Sequence, residues 1–403
     1  MIASRFHKPC SVPGMQRPRR VAATSLLAAL AGTALLAAAC TPAPSAPAPP
    51  GPPTVSAFRF LTPRNEAPVL GVLRFNVADP NNDALTCRID IDGDGSIDRT
   101  FTPCTSADSV LVQIPTAESR TATIEVSDGE FAPVTASVDI SVLPATAEDF
   151  EITLRLDPAM DPAFQQAFED AALRWEQVIT AGVPDVALDL PGGIVGWNLP
   201  FNGTVDDLLI DARDTAIDGP GKVLGSAGGI LIRPGNWLPY YGIMQFDTAD
   251  LSSLAASGRL DDVILHEMGH VLGLGGSWAL TGRINDPLFN PAYTGSAGIA
   301  AYAELGGTGL VPVENEGGAG TALGHWRESV FGDELMTGYL GSAPTKLSRL
   351  SVAALADQGY GVDLGAADPY SLPGSSLRAG GAPDEPVIEL RTELVPPMLD
   401  GLP

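Results

Sequence analysis

Two histidines and a glutamate interrupt an otherwise apolar stretch, Val263-Ile264-Leu265-His266-Glu267-Met268-Gly269-His270-Val271-Leu272-Gly273. Asp261 and Asp262 precede it and Gly273 follows, the order expected of a helix with acids in its first turn and a glycine stop. The spacing predicts a helix over 261–272, buried by its Val, Ile and Leu residues. Positions i and i+4 share a helix face, so His266 and His270 present their imidazoles to one point. Burying two histidines and a glutamate without partners is costly, so a plain core helix has little use for them.

Histidine is scarce elsewhere. Of the four in 403 residues, His7 lies ahead of an apolar leader, and His325 stands in Gly324-His325-Trp326. H-E-x-x-H is a zinc pattern. Zinc in hydrolases typically takes three protein ligands and keeps one place for water. Glu267 lies about 100° round the helix from His266, off the ligand axis but within reach of such a water, where it can serve as general base. A compact form of the motif would place a third histidine at position 276, but that residue is Gly276. The third ligand is therefore the distant His325 or a glutamate drawn from Glu304, Glu314, Glu316 or Glu328.

The order of the remaining pieces resembles the leishmanolysin-like zinc peptidases, a metzincin family with a long insertion before the third histidine. The matching stretches are His266 to Gly273, Gly324-His325-Trp326, Asp333-Glu334-Leu335-Met336-Thr337-Gly338-Tyr339, and Leu347-Ser348-Arg349-Leu350-Ser351 through Asp357-Gln358-Gly359-Tyr360. The resemblance covers roughly residues 148–365. It implies an α+β metzincin-like peptidase domain, a twisted mixed sheet plus the metal helix. It also implies His325 as third zinc ligand, Met336 as the methionine of a turn beneath the metal, and zinc-dependent cleavage of protein or peptide substrates. An edge strand ahead of the metal helix would bind substrate by strand addition; the expectation for that edge is 242–247. Further strands are expected at 151–156, 208–210 and 230–232, and helices at 162–179, 248–256 and from Ser348 to about Gln358. The stretch 277–324 is Gly-rich and weakly patterned, and reads as the family's insertion.

The N-terminus carries Arg17-Pro18-Arg19-Arg20, an Ala/Leu-rich run through Ala39, and then Cys40. That order reads as a lipoprotein-type signal peptide over 1–39, with Cys40 as the lipidated residue; the alternative is a simple signal cut after an Ala-x-Ala site. Residues 40–54, rich in Pro and Ala, read as a stiff tether. The chain after residue 39 holds 18 basic against 48 acidic groups. Such a surface repels nucleic acid and anionic lipid headgroups, so any membrane contact is expected only through the lipid anchor.

Residues 55–144 change to short alternating runs between Asp, Asn, Gly and Pro, with strands expected at 69–77, 109–114, 121–126 and 136–142. This predicts a small all-β immunoglobulin-like or polycystic-kidney-type sandwich. Cys87 and Cys104, an even pair in an exported domain, are expected to form a disulfide. Between them, Asp90, Asp92, Asp94 and Asp98 resemble the start of a calcium loop, although Phe101 stands where a closing glutamate would be. A tight acidic β-turn explains them equally well. Residues 366–403 read as a tail, with a strand expected at 387–394. Two functional classes stand at this point: a surface-tethered zinc endopeptidase, and a non-catalytic adhesion lipoprotein on the same fold.

Overall fold

The computed structural model describes residues 49–374, apart from 147, 195, 196, 198, 222, 223, 319 and 342, together with 388–390, 398 and 399. The signal segment, Cys40, most of the tether and most of the tail lie outside the described residues. Among the described residues, no helix is long and apolar enough to cross a membrane.

The N-terminal part is a β-sandwich of seven strands: β1 (Thr54–Leu61), β2 (Val69–Ala78), β3 (Leu85–Asp90), β4 (Arg99–Cys104), β5 (Ser109–Ile114), β6 (Glu118–Ser127) and β7 (Val134–Val142). One sheet runs β1-β2-β5 and the other β4-β3-β6-β7, with every neighbouring pair antiparallel. Thr54, read as tether, already belongs to β1. In β6 the alternation is clean, with Ala122, Ile124 and Val126 buried and their neighbours more open. β2 breaks that rule, because Val69 through Leu73 are all buried. Its second face is covered too: Leu70 and Val72, with Leu111 of β5, belong to the core of the second half of the chain. Gln113 reinforces the junction, donating to Asp363 Oδ1 at 3.1 Å and accepting from Leu364 N at 2.9 Å. Cys87 and Cys104 are disulfide-bonded, as expected, and link β3 to β4.

The second part is α+β. It opens with β8 (Ile152–Leu156), α1 (Pro162–Val178), β9 (Ile179–Ala181), β10 (Val186–Leu190), β11 (Phe201–Val205), β12 (Leu208–Thr215), β13 (Gly225–Ile232) and β14 (Pro239–Asp247), then α2 (Thr248–Ser257) and α3 (Leu260–Val271). The main sheet runs β13-β14-β12-β8; β8, β12 and β14 are parallel, and β13 lies antiparallel on β14. The expectation that 242–247 form an edge is therefore overturned. Those residues sit in β14, flanked by β12 and β13, and Pro239 to Ile243 are continuously buried, as an interior strand requires. The outer strand is β13, on which Met398–Leu399 adds only a two-residue parallel pairing at Leu231 and Ile232.

Helix starts follow local chemistry. Asp161 caps α1 through Ala163 N, with Pro162 at the first position, and Asp247 caps α2 through Ala249 N. Gly258 takes φ 69° and ends α2. α3 packs against α1, where Trp175 Nε1 donates to Leu265 O at 3.0 Å.

The weakly patterned 277–324 stretch contains a helix the sequence did not announce, α4 (Ser296–Glu304), beside three two-residue strands. Its N-terminus is tied to α6 (Arg349–Gln358), because Asp357 accepts from Ala297 N and Gly298 N at 2.9 Å each. Between α4 and α6 lies the single turn α5 (Glu328–Phe331). The expected strand at 387–394 is reduced, among the described residues, to Ile388–Glu389, which pairs with Tyr339–Leu340.

Candidate metal centre

α3 presents His266 and His270 on one face, and the segment ahead of α5 brings His325 to them. The three Nε2 atoms form a triangle with edges of 3.1, 3.0 and 3.0 Å. Each Nδ1 faces a backbone carbonyl: His266 to Leu335 O at 2.6 Å, His270 to Leu274 O and His325 to Thr321 O at 2.8 Å. A carbonyl can only accept, so each ring carries its proton on Nδ1 and turns an Nε2 lone pair inward. Three acceptors this close repel one another unless a cation lies between them. The residues therefore fit a metal ion, and nitrogens bound at about 2.0–2.1 Å span edges of this order.

Burial keeps the rings neutral, the form a ligand needs. Desolvation lowers His266 to about 3 and His325 to about 4, and holds His270 well below 6.5. Glu267, next to His266, is also buried, at 1% exposure. None of the four alternative glutamates joins the triad, which His325 completes. Glu314 instead accepts from the backbone N–H groups of Asn315, Glu316 and Glu328, and Glu304 pairs with Arg349 at the surface.

Close backbone approaches deliver His325. Gly273 leaves the helix at φ 102°, and a Cβ on Gly275 would lie 1.9 Å from Gly324 O, so only glycine lets the two segments meet there. Met336 is fully buried under α3, where a Cβ on Gly269 would lie 2.8 Å from its Sδ.

Sequence reasoning missed the group that holds this floor in place. Glu334 is fully buried; its Oε1 accepts from Ser348 Oγ at 2.7 Å and Ser351 Oγ at 2.6 Å, and its Oε2 from Met336 N at 2.6 Å. Ser351 Oγ in turn accepts from Trp326 Nε1 at 2.8 Å, and Trp326 N donates to Met336 O at 2.9 Å. One carboxylate thus ties α6, the Met336 turn and the neighbour of His325 together. Desolvation raises its pKa.

The aspartate loop gives a different picture. Asp90, Asp92 and Asp98 bring oxygens within 4.8 Å of one another, and Asp94 stands outside that group. Backbone N–H groups already occupy these carboxylates. Asp90 accepts from Gly93 and Gly95, Asp92 from Asp94, Asp94 from Ser96, and Asp98 from Ile91. Those bonds account for the loop as a tight acidic turn.

No protein-family model and no curated protein matches the chain. Among solved structures it is similar to the PKD domain of an M14-like peptidase from Thermoplasmatales archaeon SCGC AB-540-F20, at 18% identity over 24% of this chain and 99% of that one, with a TM-score of 0.19. It is also similar to a structure titled for the promiscuous specificity of carbohydrate-binding modules from the β-sandwich superfamily. That likeness has 18% identity and a TM-score of 0.19, and spans 35% of this chain and about half, 47%, of that one. Likenesses this slight carry no argument about what the chain does.

Proposed function

We propose that this chain is an exported zinc endopeptidase with a metzincin-like, leishmanolysin-type catalytic half. The observation that carries the reading is the triangle of three inward-turned Nε2 atoms, with Glu267 beside it on the same helix. His266, His270 and His325 would hold the metal, and an all-imidazole set suits zinc. Bound there, zinc supplies Lewis acidity to a peptide carbonyl and to water. The chain's own groups do the rest. Glu267 takes a proton from the attacking water and hands it to the departing amine nitrogen. β13, the outer strand, offers backbone groups that align an extended substrate. The carbonyls of Leu335, Leu274 and Thr321 fix the imidazole tautomers.

The Cys87–Cys104 bond supports an oxidising compartment, consistent with the leader, and a net charge of −25 argues against nucleic-acid partners. The test is metal analysis paired with casein or peptide cleavage by wild type and Glu267→Gln. The expected result is about one zinc per chain in both proteins and a loss of cleavage of at least about a hundredfold in the variant. Undiminished cleavage by Glu267→Gln would sink the mechanism. Full zinc content with no cleavage of any peptide by wild type favours the non-catalytic adhesion reading instead.

A further inference from the structure

The outer edge of β13 already carries a strand from the chain itself, since Met398 and Leu399 pair in parallel with Leu231 and Ile232. Resting on the peptidase reading above, we propose that the C-terminal segment is a built-in competitor of substrate. Ile388–Leu390 anchors it beside His325, and Met398–Leu399 covers part of the edge that an extended peptide must use.

The two ends of the segment differ in how firmly they are held. Ile388–Glu389 pairs antiparallel with Tyr339–Leu340, and Leu390 N donates to Gly338 O at 2.9 Å. Leu390 is 1% exposed and belongs to the main core, so this end cannot leave without unpacking apolar surface. Gly338 lies against a metal ligand, because a Cβ there would stand 3.5 Å from Cγ of His325. The other end has only two residues on β13, in the parallel ladder that is the weaker pattern per residue. One end is an anchor and the other can be displaced.

The covered positions matter because Ile232 and His270 line one cavity, so a peptide laid along β13 past the metal ligands needs them. This end of β13 is also firmly set. Arg233, next after Ile232, is buried and donates to Pro184 O, Pro239 O and Asp207 O. Met398 follows Leu390 by eight residues, so the tethered strand meets the edge at an effective concentration on the order of millimolar. A substrate must displace it, and if about four chains in five have the edge filled, apparent affinity falls about fivefold.

The test compares three zinc-loaded proteins on a fluorogenic peptide spanning the principal casein cleavage site. They are wild type, a chain ending at Leu390, and the full chain with Met398→Pro and Leu399→Pro. The truncation keeps the buried anchor, and the two prolines strip the N–H donors from the short ladder without shortening the chain. In both altered proteins KM should fall about fivefold while kcat stays within about twofold, the split expected when a competitor of binding is removed. Met398→Leu leaves the backbone pairing and keeps the wild-type KM. As a readout separate from turnover, the same truncation placed in Glu267→Gln should tighten binding of the labelled peptide about fivefold. A strand that merely shields the sheet edge would move stability and leave KM where it was. Cleavage with an unchanged KM in both altered proteins overturns the competitor and leaves the peptidase reading intact. If the truncated chain does not fold, the proline variant alone decides. No cleavage by any of the three proteins overturns both.

Discussion

Gly269, immediately before His270, offers a sharp test of how the floor beneath the helix is packed. Alanine there would improve helix propensity by about 1 kcal/mol. Its methyl group, however, would lie 2.8 Å from Met336 Sδ, 3.2 Å from Met336 Cε and 3.1 Å from Trp175 Cζ2. The methionine can flex, but the indole is pinned by its bond to Leu265 O, so the contact cannot be relieved by one rotamer change. Overpacking of this kind costs about 1–3 kcal/mol. Clash outweighs propensity over most of that range, and the expected net loss for Gly269→Ala is up to about 2 kcal/mol. In a Met336→Ala background the Sδ and Cε atoms are gone, and the same substitution should cost at least about 1 kcal/mol less, a coupling that a double-mutant cycle isolates. Urea unfolding of the four metal-free proteins measures it. Equal penalties in both backgrounds, or a Gly269→Ala protein more stable than wild type, would refute the packing argument.

Other consequences are as definite. Glu334→Ala leaves Met336 N, Ser348 N and two serine hydroxyls without their acceptor, which should cost about 3 kcal/mol or more and weaken metal binding. Glu334→Gln, which keeps an acceptor oxygen, should lose less; equal metal affinity in all three proteins would contradict this. Gln113→Ala removes both bonds between the sandwich and residues 363–364, at about 1–2 kcal/mol, read as a lower thermal midpoint in a single transition. The three buried imidazoles have folded pKa values below the unfolded 6.5, so the unfolded chain binds more protons, and metal-free stability falls as pH drops below 6.5. Glu328, raised by burial to about 7, opposes this, because its proton is held more tightly in the fold. Glu328→Gln should therefore steepen the stability slope between pH 5 and 7 by about 1.4 kcal/mol per pH unit, and identical slopes in the two proteins would exclude it.

What the sequence made legible were features with contrast. His266, Glu267 and His270 stood out against apolar neighbours, and His325 stood out because few histidines exist. α1, α2, α3 and α6 carry clear caps, stops or apolar faces, and their bounds match expectation to within two residues. Only the end of β13, 230–232, was expected, because Gly225-Ser226-Ala227-Gly228-Gly229 has no alternation, and the edge was placed on the more strongly patterned β14. α4 was invisible for a similar reason, since Ser296-Ala297-Gly298-Ile299-Ala300-Ala301 is small-residue packing with no polar stripe. Glu334, Asp357 and Arg233 are single charged residues whose partners lie in distant segments or scattered carbonyls. Their roles arise only once the chain has folded and left them buried with nothing else to satisfy the neighbouring N–H groups and carbonyls.

The borrowing of Leu70, Val72 and Leu111 by the second hydrophobic core has a consequence for anyone who would cut the chain in two. Severed near residue 145, each fragment would present to water a greasy face that the other now shields. The β-sandwich is thus a wall of the α+β half, and it cannot be exchanged like a removable handle in fusion or truncation designs.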